Sequence, residues 1–372
     1  MKIGIVCYPT YGGSGAIATE LGQGLARREH EVHIISYAPP FRLREFRPNL
    51  QFHAVEVSSY PLFRYPPYDL ALASKIMAVV DETGLDLIHA HYAIPHSISA
   101  YLAREMLPTA KPIKVVTTLH GTDITLMGTE KAYYEITRFG IQKSDGVTVV
   151  SDWLRSETRR IFRIEREMRV IPNFVDTERF QPGDRSDYRI RLAAPEEKIL
   201  VHASNFRPVK RIQDVMRIFA LVRSQMPARL VLVGDGPELP RAAELSEELG
   251  VRDQVIFAGQ QEAVEGLLRV ADLFLLPSEF ESFGLAALEA LACGVPVVGT
   301  NTGGMAEVVE EGVNGHLCRV GDTTCMASFA SNLLGDEAKH RAFQESARAS
   351  VLERFQGESV VTRYEQYYEE IL

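Results

Sequence analysis

The chain has four cysteines in 372 residues, Cys7, Cys293, Cys318 and Cys325, and no pair of them stands in C-x-x-C spacing. That excludes a disulfide scaffold or a zinc ribbon, and buried, reduced thiols are expected. No apolar run reaches the ~18 residues that span a bilayer. Met1-Lys2-Ile3-Gly4-Ile5-Val6-Cys7 enters a strand at once, without the basic start and cleavage site of a secretory leader, so a cytoplasmic address is expected. Basic residues are in deficit. A formal net charge of −9 speaks against nucleic acid as the main partner, because phosphate backbones require a basic surface. No Asp-x-Asp occurs, which leaves a divalent-ion diphosphate site without obvious ligands, so no metal is expected. No low-complexity tract occurs, and 46% hydrophobic with 24% charged residues is ordinary globular composition.

A chain of this length exceeds one ordinary core and predicts two domains of ~150–200 residues. Apolar runs alternate with helical patterns throughout. Lys2–Tyr8, Glu31–Ser36, Leu85–His89, Lys114–Leu119 and Gly146–Val150 read as strands of a first series. Ile199–His202, Arg229–Val233, Gln254–Phe257, Leu273–Pro277 and Val295–Gly299 read as a second. Continuous apolar character means strands buried on both faces, hence parallel sheets covered by helices. The expected α/β organisation is a Rossmann-like lobe over 1–168, a second over 169–350, and a C-terminal helix over 351–372 that packs towards the first lobe. Ligands of such sheets sit outside the carboxyl ends of the strands, so motifs at strand ends carry the functional reading.

Four motifs lie there. Gly12-Gly13-Ser14-Gly15 follows the first strand and opens a helix, where bare backbone and helix N–H groups suit a phosphate. A plain tight turn is the alternative, and the spacing is not that of a dinucleotide fingerprint. Ser204-Asn205-Phe206-Arg207-Pro208-Val209-Lys210-Arg211 follows the strand that opens the second series. Its cations suit a diphosphate clamp, with a solvated charged face as the alternative. Gly234-Asp235-Gly236 is a turn that lets backbone approach a base or ribose. Glu281 and Glu289 bracket a helix start. Eight residues of helix place them about 12 Å apart, beyond the ~5–9.5 Å of a glycosidase carboxylate pair. They suit two ends of one extended ligand, with the N–H groups of Phe283, Gly284 and Leu285 free for sugar hydroxyls or an anion. His89 and His91 share a strand face, but no third metal ligand stands at useful spacing.

The span Glu281–Glu289, the Gly-rich first loop and Lys210 together resemble the retaining GT-B glycosyltransferases of family GT4. The resemblance implies two lobes facing across a cleft, with the donor mostly on the second. It implies that Glu289 takes the ribose, that Lys210 and Arg207 take the diphosphate with Gly13 close to it, that Asn205 and Ser14 belong to the donor site, and that Gly234 approaches the nucleotide. Glu281 and Phe283–Leu285 would then take the transferred sugar, with His120 near its reacting carbon. His120, Lys210 and Glu281 are the catalytic candidates. Many members carry an arginine where this chain has Asn205; here the arginine is displaced to Arg207. Further strings, Tyr8–Gly15, Phe63–Lys75, His89–His96, Thr117–Thr125, Arg138–Ile141 and Gly321–Thr324, are similar to the branch of the family that serves bacillithiol biosynthesis. That likeness implies UDP-GlcNAc as donor, the hydroxyl of L-malate as acceptor, an α product and no cofactor. A doubly anionic acceptor needs cations and hydroxyls, and Ser14, Tyr92, Thr118 and Arg138 are the acceptor candidates, with Arg138 for a carboxylate.

Retention with no evident enzymic nucleophile points to front-side, oxocarbenium-like transfer supported by proximity and electrostatics. Three other readings stand beside it: a glycosyltransferase acting on a lipid or another small acceptor, a sugar-nucleotide epimerase, and a non-catalytic sensor. The basic stretch Arg155–Arg169 is read as a solvated face, not a membrane surface, because glutamates interrupt it. The oligomeric state is left open.

Overall fold

The computed structural model describes residues 1–10, 12–43, 46–58, 61–108, 113–183 and 186–372; Tyr11 of the first loop lies outside them. The chain forms two compact units, Met1–Asn173 with Gly357–Leu372, and Phe174–Gln356.

Unit 1 holds seven parallel strands: β1 (Lys2–Val6), β2 (Glu31–Ser36), β3 (Leu50–Ala54), β4 (Leu87–His91), β5 (Lys114–Leu119), β6 (Gly146–Val149) and β7 (Arg169–Val170). Their spatial order is β3-β2-β1-β4-β5-β6-β7. Unit 2 holds six: β8 (Lys198–Ala203), β9 (Ala228–Val233), β10 (Val255–Gly259), β11 (Leu273–Leu276), β12 (Val297–Thr300) and β13 (Gly315–Cys318), in the order β10-β9-β8-β11-β12-β13. Both orders reverse once beside the first strand of the unit. The reversal falls between β1 and β4 in unit 1 and between β8 and β11 in unit 2. At such a point successive connections leave to opposite faces and open a crevice at the carboxyl ends.

The apolar runs become central strands as expected: β1, β4, β5 and β6 are almost wholly buried. Three strands escape the pattern. β3 is an edge strand of half-exposed residues, β7 is two residues long, and β13 closes the far edge of its sheet. β4 runs two residues beyond its expected end, so His89 and His91 lie within it and their rings stand 4.3 Å apart.

The helix Gly357–Ile371 belongs to unit 1. It buries Tyr364, Tyr367 and Tyr368, and their hydroxyls end among polar groups of the sheet. Tyr367 Oη accepts from Val147 N at 2.9 Å, Tyr368 Oη meets His89 Nδ1 at 2.7 Å, and Tyr364 Oη lies 3.5 Å from Thr118 Oγ1. Gly24 permits the close packing, since a Cβ there would come within 2.8 Å of Val361.

The expectation of four reduced thiols fails in unit 2. Cys318, at the end of β13, and Cys325, in the first turn of the helix Thr323–Gly335, have Cα atoms 6.2 Å apart and form a disulfide. Cys7 and Cys293 are free and buried. Four arginines of the basic stretch are partnered within the chain: Arg155 pairs with Asp152, Arg160 with Glu157, Arg169 with Glu370, and Arg166 donates to four backbone carbonyls, while Arg159 and Arg163 are exposed. Among the described residues no helix is long and apolar enough to cross a membrane.

Replacing Tyr368 by Phe leaves the buried His89 Nδ1 without its partner. The expected loss is about 1–3 kcal/mol, read as a lower urea midpoint; an unchanged midpoint would show that the hydroxyl contributes nothing net.

Candidate active site

In unit 2 the loops that leave β8 and β11 part at the point where the strand order reverses. The first carries Lys210 and the second Glu281, and the two meet: Lys210 Nζ donates to Glu281 Oε1 at 2.6 Å. Ser278, fully buried, donates to the same oxygen at 2.8 Å. Glu281 is only 9% exposed, so a charge that would be costly alone is paired and hydrogen-bonded.

Several glycines make this approach feasible by yielding space to other backbone. A Cβ on Gly234, at φ 128°, would stand 1.8 Å from Ser204 O, and one on Gly236, at φ 154°, 2.1 Å from Asn205 O. The turn Gly234-Asp235-Gly236 is thereby pressed against the start of the lysine loop, a structural reason for its glycines alongside any approach to a nucleotide. Gly303 does the same for the glutamate loop, where a Cβ would lie 1.8 Å from Glu281 O, and Gly304 N donates to that carbonyl at 2.9 Å. Asn205 and Arg207 are exposed.

The helix Leu285–Ala292 begins at Gly284, whose φ of 93° favours glycine. Its first-turn N–H groups have no intrahelical acceptor, and Phe283 is buried beneath them. Glu289, inside the helix, is 7% exposed.

In unit 1 the corresponding reversal lies between β1 and β4. Gly12 is extended and the helix Gly13–Arg27 starts directly after it. Gly15 has the steric requirement here, because a Cβ would come within 2.6 Å of Tyr8 O. Ser14 Oγ donates to Tyr92 Oη at 3.0 Å, joining the loops that follow β1 and β4. Tyr92 holds φ at 91°, a strained value for a bulky residue. Its N–H is fixed to Thr118 O and its carbonyl accepts from Ser97 N.

Behind Tyr92 lies a set of uncharged imidazoles. His91 Nδ1 and His120 Nε2 are 2.9 Å apart and share one hydrogen. His96 Nδ1 bonds to His91 O at 2.5 Å. Burial pushes His89 and His120 down to about 3 and His96 down to about 4, with His91 also held well below the ordinary value. Asp123, 2% exposed, accepts from Ala93 N, Gly121 N and His120 N, and so locks the loop after β5 to the loop after β4. Burial nevertheless raises its carboxyl to about 6.

Among the acceptor candidates the structure corrects Thr118. It is fully buried, and its hydroxyl bonds to His89 Nε2 at 2.6 Å and Thr148 Oγ1 at 2.6 Å. The side chain faces the core, so only its backbone is left to serve a ligand loop. Arg138, on the helix Tyr134–Lys143, is half-buried and lies 3.9 Å from Glu135. Sequence reasoning gave no role to Asp123, which lies inside the quoted string Thr117–Thr125, or to Ser278, three residues before Glu281. Among the described residues no group of three metal-type side chains is placed to hold an ion.

A model described as glycosyltransferase family 4 matches residues 11–179, and one described as glycosyl transferases group 1 matches residues 184–350. The chain is 49% identical to N-acetyl-alpha-D-glucosaminyl L-malate synthase of Bacillus anthracis, over 100% of this chain and 97% of that protein. It is 27% identical to GDP-mannose-dependent alpha-(1-6)-phosphatidylinositol monomannoside mannosyltransferase of Mycolicibacterium smegmatis, over 88% and 87%. Among solved structures, sucrose-phosphate synthase of Thermosynechococcus elongatus gives a TM-score of 0.84 at 23% identity, covering 100% and 99% of the two chains. Anabaena HepE in complex with UDP-glucose gives 0.83 at 21%, covering 100% of each. At those identities the likeness speaks for the fold, which is GT-B.

The buried imidazoles set an acid limit. Their folded-state values lie below 6.5, so the unfolded chain takes up protons first as pH falls. Stability is therefore full above about pH 6.5 and declines below it, by about 1.4 kcal/mol per pH unit for each histidine. Asp123, raised to about 6, works in the opposite sense below that pH and offsets one of the four. Urea midpoints should fall between pH 7.5 and 5.5; a midpoint that rises would contradict the neutral cluster.

Proposed function

The chain belongs to glycosyltransferase family 4, and we propose that it moves N-acetylglucosamine from UDP-GlcNAc to the hydroxyl of L-malate with retention of configuration. The observation that carries the reading is the 49% identity, end to end, with a relative named for that product. The ion pair at the strand reversal of unit 2 supports it chemically.

In this reading Lys210, with Arg207 and Asn205, receives the diphosphate, and Gly13 and Ser14 contribute backbone and hydroxyl to it. Glu289 takes the ribose, Gly234 lines the nucleotide, and Glu281 with the N–H groups of Phe283, Gly284 and Leu285 takes the sugar. Ser14, Tyr92 and Arg138 receive malate, Arg138 through a carboxylate. The malate oxygen bonds to the anomeric carbon on the face from which UDP leaves. The carbon–oxygen bond to the β-phosphate breaks, and the malate proton passes to the departing phosphate oxygen. Charge grows negative on the leaving group, where Lys210 neutralises it, and positive on the sugar ring. His120, neutral by burial, offers the ring a polar neighbour without opposing that positive charge. No step requires a metal or a cofactor. A cytoplasmic address accompanies this reading.

Purified protein in EDTA should release UDP from UDP-GlcNAc only when L-malate is added. Release with a different hydroxy acid or a lipid, and none with malate, would discard the acceptor while leaving the donor site. Release without any acceptor would favour the epimerase reading. Lys210→Ala should lower kcat by roughly 10²–10³-fold with KM for malate changed only a few-fold; normal turnover would remove the clamp.

A further inference from the structure

His202 is fully buried in β8, and neither the fold nor the proposed chemistry accounts for it. Its position within the sheet supplies a reason. The β8–β11 ladder pairs Leu200 with Leu273 and Val201 with Phe274, then stops. The next position in that register sets His202 opposite Leu275, and there the imidazole replaces the backbone ladder: Nδ1 lies 2.8 Å from Leu275 O. A carbonyl only accepts, so Nδ1 carries the hydrogen. Burial pushes the ring down to about 4, so it is neutral near pH 7 and Nε2 presents a lone pair. Ser204 Oγ, 2.8 Å away, donates to it. That orientation turns the serine oxygen towards Phe206 N, which donates to it at 3.3 Å. Phe206 is buried and held at φ 36°, an unfavourable value for a side-chain-bearing residue.

One directed relay of hydrogen bonds thus runs from β11 through His202 and Ser204 to the strained start of the loop that carries Lys210. The two strands it joins are those whose loops hold Lys210 and Glu281. We propose that His202 and Ser204 are positioning residues: they set the spacing of β8 and β11 beyond their last backbone pair and thereby fix where the Lys210 ammonium stands for a nucleoside diphosphate. The inference rests on the donor reading given above.

The test uses UDP and uridine as paired probes of the full-length protein. Both carry the base and ribose, and only UDP carries the diphosphate. Ser204→Ala should weaken UDP binding about ten-fold, leave uridine unchanged, and add little when built onto Lys210→Ala, because it acts through that lysine. Ser204→Thr, which keeps the hydroxyl, should restore UDP affinity. UDP affinity equal to wild type in Ser204→Ala would overturn the proposal, and so would an equal loss for uridine or a full additional loss in the Lys210→Ala background. A collapse of the fold is recognised by the uridine control and the thermal midpoint. Wild-type protein that fails to bind UDP would remove the donor reading and this proposal together, whereas UDP binding that depends on Lys210 but not on Ser204 would remove this proposal alone.

Discussion

The pairing of Lys210 with Glu281 is the interaction around which unit 2 is arranged. Parallel strands buried on both faces leave their polar connections at the carboxyl ends, and the reversal of strand order parts two of those connections. The ion pair brings them together again at 2.6 Å. To let it form, the turns at Gly234, Gly236 and Gly303 give up side chains where backbone meets backbone. A cation held in this way stays partly desolvated and already aimed, so an anionic ligand need only exchange one negative partner for another.

Unit 1 treats its polar residues differently. Around the ends of β4 and β5 the polar groups are uncharged rings: His89, His91, His96 and His120 are all buried and held neutral. Asp123, a buried carboxylate near them, is occupied with three backbone N–H groups. Near Tyr92 the imidazoles are therefore polar without charge, and the carboxylate of Asp123 is engaged by backbone.

The architecture was legible because its central strands are continuous apolar runs, which survive any uncertainty in propensity. β3 and β7 were not: an edge strand needs no uniform burial, and a two-residue strand has no period. The candidate site was legible as far as the places of Lys210 and Glu281 after strand ends, which the structure brings together. It was not legible where the role depends on which face of a strand a side chain takes. Thr118 follows Thr117 by one residue, and only the register of β5 decides that Thr118 points to the tyrosines of the last helix while Thr117 bonds to Ser144. The Cys318–Cys325 disulfide escaped for a similar reason, since a seven-residue separation says nothing until strand and helix bring the two Cα atoms into range. Asp123 and Ser278 act on backbone and on another side chain, and no spacing rule announces that.

The return of the helix Gly357–Ile371 to unit 1 makes unit 2, in chain order, an insertion into unit 1. During synthesis the first 173 residues leave the ribosome long before the helix that caps them. Until it arrives, His89 lacks the Tyr368 hydroxyl, Val147 N lacks Tyr367, and the groove above Gly24 is bare. Unit 2 has all of its own strands by then and can fold as a body while its older neighbour waits. The first-made unit is therefore the last to be finished, and a nascent chain that stalls before the helix emerges carries a complete unit 2 and an uncapped unit 1.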